Sequence, residues 1–309
     1  MRTDSTPRRL RLLALAAILG TACAGCSVRQ LAVNSLGDAM AGAGGAYAAD
    51  DDLELIALAT PFGLKTVEVL LAESPSHPGL LLAAARGFTQ YAYAFVEAPA
   101  DELDERDVAA AYAQRARALK LYLRARGYAL RGLEARHPGF RAALDRDPAA
   151  ALAACGPDDV ALLYWAAASW AAAISLGKDS PALVAELPIA GAMIDRAAAL
   201  DESFDGGAIH VFLIAYEMAR PDGAPDRVAR ARQHFDRAVA LSEGRQAAPF
   251  VAYAEAVSIA RGDRAEFDGL LAQAAALDPA AAPQWTLANR VCQRRAVWLR
   301  AHTDRYFSN

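Results

Sequence analysis

The 309 residues predict an all-α protein of stacked antiparallel helix hairpins packed around buried central helices. Three observations carry that expectation. Apolar residues recur at three- and four-residue steps through most of the chain, which is the helical period. No segment shows the alternating β-branched pattern of a strand. The last third repeats one helical motif at intervals of 41 and 36 residues.

In chain order, the first element is a secretory signal. Arg2, Arg8, Arg9 and Arg11 form a basic segment that merges into a short apolar run, Leu10 to Leu19, and small residues then lead to a cysteine. The run is too short for a membrane-spanning helix. A cysteine at the cleavage point makes it a lipoprotein signal, residues 1–25. Cys26, after Ala24 and Gly25, fits the acylated position better than Cys23. The expected location is therefore the periplasm, held by lipid, with Ser27 pointing to the inner leaflet of the outer membrane. Removing residues 1–25 takes away four arginines and one aspartate and moves the net charge from -4 to -7. An acidic surface argues against nucleic acid as a partner.

Residues 26–309 form the expected all-helical domain. A first helix, 27 to 41, gives way to glycines at 42, 44 and 45. Asp50, Asp51 and Asp52 then cap a helical run from Leu53, and Pro61 reads as the first turn of a further helix. The organising element is Gly79 to Glu97, which is apolar nearly all round, opens after Pro78 and is expected to stop at Pro99. Such a helix is buried. Its polar stripe, Arg86, Gln90, Tyr93 and Glu97, falls at i, i+4, i+7 and i+11. A buried polar stripe either pairs with neighbouring helices or lines a ligand cavity. In the second case Arg86 offers a planar fork to a carboxylate, and Tyr91, Phe95 and Trp165 are candidates for an apolar wall.

A long charged helix follows, from Glu102 to Arg136. Val160 to Leu176 is a second buried helix, carrying Trp165 and Trp170. Asp195 to Asp201, DRAAALD, recurs as Asp236 to Ser242, DRAVALS, and again near Ala274 to Asp278. Ala231, Phe235 and Ala238 match the small, aromatic and small positions of a tetratricopeptide-like second helix, and Tyr216 the aromatic of its first.

The catalytic search is empty. Five scattered histidines include no zinc-binding helix pair, and there is no phosphate loop, nucleophile elbow or C-x-x-C in residues 26–309. The sequence predicts no enzyme, no metal and no cofactor. Cys155 and Cys292 read as buried thiols in preference to a disulfide.

Several stretches together are similar to one family, the T component (TatT) of tripartite ATP-independent periplasmic (TRAP) transporters. They include PFGLKTVEVLLAESPSHPGLLLAAARGFTQYAYAFV (61–96), RARALKLYLRARGYALRGLEARHPGF (115–140), YWAAASWAAAISL (164–176) and GAIHVFLIAYEMARP (207–221). The resemblance implies a periplasmic lipoprotein of tetratricopeptide-like hairpins, a trimer, with a pore or cleft through each subunit. It implies a solute-binding protein of a TRAP system as partner, and a small organic acid or apolar ligand in the cleft. A scaffold for envelope assembly, binding proteins and no solute, is the alternative.

Overall fold

The computed structural model describes residues 33–42, 44–104, 106–220 and 225–307. The signal peptide, Cys23 and Cys26 lie outside the described residues. Among those residues every regular element is a helix.

Residues 33–42 and Gly44–Ala48 are helical and lead to Leu53–Glu73 (α1). Asp52 caps α1 as expected, accepting from the N–H groups of Glu54 and Leu55. Pro61 does not begin a new helix: it sits inside α1, which runs 21 residues through it. A proline removes one intrahelical hydrogen bond, and here the flanking turns hold the helix together. His77 then closes the turn by capping Pro78–Ala92 (α2), its Nδ1 accepting from Leu80 N–H at 3.3 Å.

The organising helix is buried as predicted. Leu80, Leu81, Ala84, Ala85 and Ala92 have no exposed surface, and α2 packs against α1, Val108–Arg136 (α3) and Val160–Leu176 (α4). The long charged helix begins at Asp107, its N-cap, and not at Glu102. Around α4 gathers the first core, with Trp165, Trp170, Met193, Ile194 and Ile209. Both α1 and the segment Pro157–Leu176 are long and apolar enough to cross a membrane, by length and composition; most of the second is buried inside the fold.

The C-terminal third is a run of helices, Leu187–Leu200 (α5), Phe204–Ala219 (α6), Arg227–Leu241 (α7), Ala248–Tyr253 (α8), Arg264–Ala276 (α9) and Thr286–Ala301 (α10). From α5 onward each packs on the next, and the π-helical continuation of α8 adds to its contact with α9. Ala231, Phe235 and Ala238 are the buried residues of α7, the three positions assigned from the repeat. Tyr216 is buried too, and Gly262 ends the helix before α9 with φ +68°, a conformation that favours glycine. The start of α6 departs from a helix: Asp205, Gly206 and Gly207 are left-handed. A Cβ at Gly206 would lie 2.3 Å from the Trp285 ring, so only glycine fits.

Between α6 and α7, His210 and His234 face each other, Nδ1 to Nδ1 at 2.9 Å. At that separation one proton is shared between two neutral rings. Glu202, Glu217, Asp195, Arg220 and Arg237 surround them. Burial pushes both imidazoles below their usual value, and in His234 the charge of His210 adds to it. The unfolded chain therefore takes up protons at a pH where the folded pair stays neutral. Stability is expected to fall as pH drops through about 6.5 and to go on falling until the folded pair titrates. Glu97 and Glu255, raised by burial, act in the opposite sense above the usual carboxylate range. Denaturation curves of wild type and a His210→Asn/His234→Gln variant from pH 7.5 to 5 separate the two: the variant should lose less stability with acid, and parallel curves would dismiss the pair.

Candidate functional site

Two π-turns organise the site. Where α2 ends, Tyr93–Glu97 winds in the i+5 register before Ala98–Leu103 resumes α-helix. Where α8 ends, Ala254–Ser258 does the same before Ile259–Arg261. Such bulges are rare and concentrate at functional sites. Each carries a glutamate, Glu97 on the first and Glu255 on the second.

Pro99 does not stop the organising helix, and the π-turn is the reason. In the i+5 register the Ala94 carbonyl would accept from residue 99, and proline has no N–H to give. Arg294 from α10 donates there instead, Nη2 to oxygen at 2.7 Å. The neighbouring Arg295 completes the grip. Its Nη1 donates to Asp101 Oδ2 at 2.7 Å, and its Nε and Nη2 donate to Glu255 Oε1 at 3.0 and 2.6 Å. Trp298 stacks beneath Arg295 at 4.7 Å. The C-terminal helix thus ties both π-turns together, and Arg115 of α3 holds Asp101 and Asp104 from the far side.

The space between these groups is a recess lined by Tyr93, Ala98, Glu102, Val291, Arg294 and Arg295, with room for about one water. Tyr93 combines two properties seldom found together. Surrounding protein pushes its phenol well above the usual range, yet 37% of its surface is open. Burial likewise raises Glu97 and Glu255 and pushes the Cys292 thiol up to about 12. Tyr122 donates its hydroxyl to Glu97 in a very short hydrogen bond. Arg295 spends its charge on Asp101 and Glu255, so among the described residues Glu97 has no basic partner within ion-pair distance. Its Oε2 accepts from Tyr122, and Oε1 has no donor among the described residues.

The predicted stripe divides here. Tyr93 lines the recess, and Glu97, one turn further on, lies outside its lining and is held by the Tyr122 hydroxyl. Gln90 is exposed, and Arg86 packs against the backbone at Gly44, two turns from the recess. The extra residue in the π-turn explains part of the split, because it rotates everything beyond it by about 100° from the α-helical face. Tyr91 turns toward α3, 5.8 Å from Phe95 and under the guanidinium of Arg117. Trp165 is buried in the α4 core against Tyr164. Asp101, Glu255 and Arg295 have no counterpart in the sequence reading. Arg295 and Asp101 stand 194 residues apart, and no periodicity links them.

Among the described residues the chain is all-α, and its C-terminal helix closes on a central helix that carries a π-turn. The chain belongs to the TRAP transporter T-component family, whose description matches residues 49–307. An uncharacterized protein of Treponema pallidum (strain Nichols) is 35% identical over 303 residues, covering 92% of this chain and 94% of that protein. The family is a component of a transport system and not an enzyme.

Proposed function

We propose that this chain is the lipid-anchored periplasmic accessory component of a TRAP transport system, that it binds the system's extracytoplasmic solute-binding protein, and that the recess between the π-turns receives a small ligand. Membership of the family carries the transport part. The lipoprotein pattern ending at Cys26 supports the anchor and the outer-membrane inner leaflet. The uncompensated carboxyl of Glu97 beside accessible Tyr93 supports the ligand. Arg86 lies elsewhere, and the polar groups of the recess, Glu102, Arg294 and Arg295, carry both signs of charge.

Self-association has its own support in α1. Leu55, Leu58, Phe62 and Val69 are 54–80% exposed, and with Lys65 and Ala72 they fall at alternating three- and four-residue steps. That narrow seam is the spacing of a coiled coil, in which each copy covers the others. The trimer implied by the family resemblance would bury it. The scaffold reading keeps one observation in its favour, the small volume of the recess.

One experiment addresses partner and assembly together. Wild type, a Glu97→Gln protein and a Leu58→Glu/Phe62→Glu protein are compared by sedimentation and by capture of the solute-binding protein encoded beside this chain. Wild type should sediment as an oligomer and retain the partner. Leu58→Glu/Phe62→Glu should sediment as a monomer, and Glu97→Gln should retain the partner while losing solute-dependent thermal stabilisation. A wild type that captures no solute-binding protein would leave the scaffold reading standing, and an oligomer surviving both glutamates would remove α1 as the seam.

A further inference from the structure

Away from the recess, three residues of different chemistry converge at the bottom of α3. His137 is the C-cap of α3, Cys155 lies in the connection after the short helix Pro148–Ala153, and Asp159 ends the turn Pro157–Asp159 that opens α4. His137 Nε2 is 2.8 Å from Asp159 Oδ2, and these atoms and Cys155 Sγ all lie within 4.8 Å of one another. We propose that His137, Cys155 and Asp159 form a binding site for a borderline-soft divalent cation of the Zn2+ class.

The donor set selects the class. One imidazole nitrogen, one sulfur and one carboxylate oxygen suit Zn2+ and not the hard cations Mg2+ and Ca2+, which demand oxygen throughout. A thiolate and a carboxylate also supply two negative charges against the dication. In a tetrahedral zinc site, ligand atoms stand roughly 3.3–3.8 Å apart, so the widest separation closes by about 1–1.5 Å and the His137–Asp159 pair, now at 2.8 Å, opens by about 0.5–1 Å. His137 supplies that movement, because its side chain is the accessible one of the three, 27% exposed against 3% for Asp159.

The surroundings hold the other two ligands in place. Arg136 Nε donates to Asp159 Oδ1 at 2.5 Å and the Gly156 N–H to Oδ2 at 2.8 Å. The carboxylate is therefore oriented by its outer oxygen and its backbone, with Oδ2 directed at His137. Arg196 Nη2 donates to the Cys155 carbonyl at 2.5 Å and fixes the cysteine's backbone. Supporting hydrogen bonds of this kind orient metal ligands. We place the fourth position on the side of His137, which also lines a groove of about 380 Å³ running past Phe140, Arg146 and Asp147. A closed structural site has four protein ligands, whereas three ligands and an open side leave room for water or an exogenous donor. The charge of Arg136 opposes a dication, so the site is weaker than a four-ligand structural one.

The probe is Co2+ or Zn2+ alone, added to the full chain under reducing conditions. One equivalent of Co2+ should bind and show a thiolate-to-cobalt charge-transfer band in the near ultraviolet. Cys292→Ser should retain the band. Cys155→Ser should lose it, with affinity at least about 100-fold weaker. Buried Cys155 can disturb folding when replaced, so His137→Gln, at the exposed ligand, is the second variant and should weaken binding with little change in melting temperature. Zn2+ should also slow labelling of Cys155 by a thiol reagent in wild type. Absence of the thiolate band, or an equal band in Cys155→Ser, overturns the site, and binding unchanged in His137→Gln removes the histidine from it.

Discussion

Replacing Arg295 with alanine is expected to destabilise the fold by about 3–5 kcal/mol, the usual loss when one partner of a buried ion pair is removed. Its side chain is 13% exposed and serves two acids, Asp101 at 2.7 Å and Glu255 at 2.6 Å. Alanine leaves both carboxylates close to Glu97 in a recess where burial already raises Glu97 and Glu255. Arg295→Lys should recover only part of the loss, because an ammonium cannot fork to two acids at once. Chemical denaturation of the three proteins decides it. A loss below about 1 kcal/mol would mean that Arg115 holds Asp101 by itself and that α10 does not depend on this contact.

The second large effect is expected at Ala238. It has no exposed surface, and a Cβ built on Gly207 of α6 would stand 3.2 Å from its Cα, so the two helices touch nearly backbone to backbone. Ala238→Trp forces them apart and should cost about 1–3 kcal/mol or more. The adjacent Arg237 pairs with Glu202 across the surface, and changing it to alanine should alter the melting temperature little. Equal melting temperatures for the two variants would place α7 in the wrong register.

That contrast shows how far the sequence could be read. Ala231, Phe235 and Ala238 were legible because a helix that packs on its neighbour must put small residues where the axes approach, and the motif repeats. The burial of α2 was legible from its all-round apolar character, and the caps at Asp52 and Gly262 from local backbone chemistry. Pro61 and Pro99 were misplaced for a common reason: tertiary packing can hold a helix across a missing hydrogen bond, and local preference does not see the partner that repairs it. The recess was half legible. Tyr93 and Glu97 lie on the polar stripe, but the π-turn that separates them from Arg86 leaves no mark in a 3.6-residue pattern. Asp101, Glu255 and Arg295 meet through the tertiary fold, as do His137, Cys155 and Asp159, whose spacing matches no metal motif.

The tie between α10 and the first π-turn also has a consequence for synthesis. Arg294 and Arg295 reach back 200 and 194 residues to Ala94 and Asp101. Contacts of such long sequence separation form late, because the intervening chain must be ordered before they can hold. A polypeptide made from its N-terminus can build α1 to α4 early, but its central glutamates stay open until the last helix arrives. Pulse-labelled hydrogen exchange during refolding should find α10 protected after α2 and α4, so that the recess is sealed by the final stretch of chain.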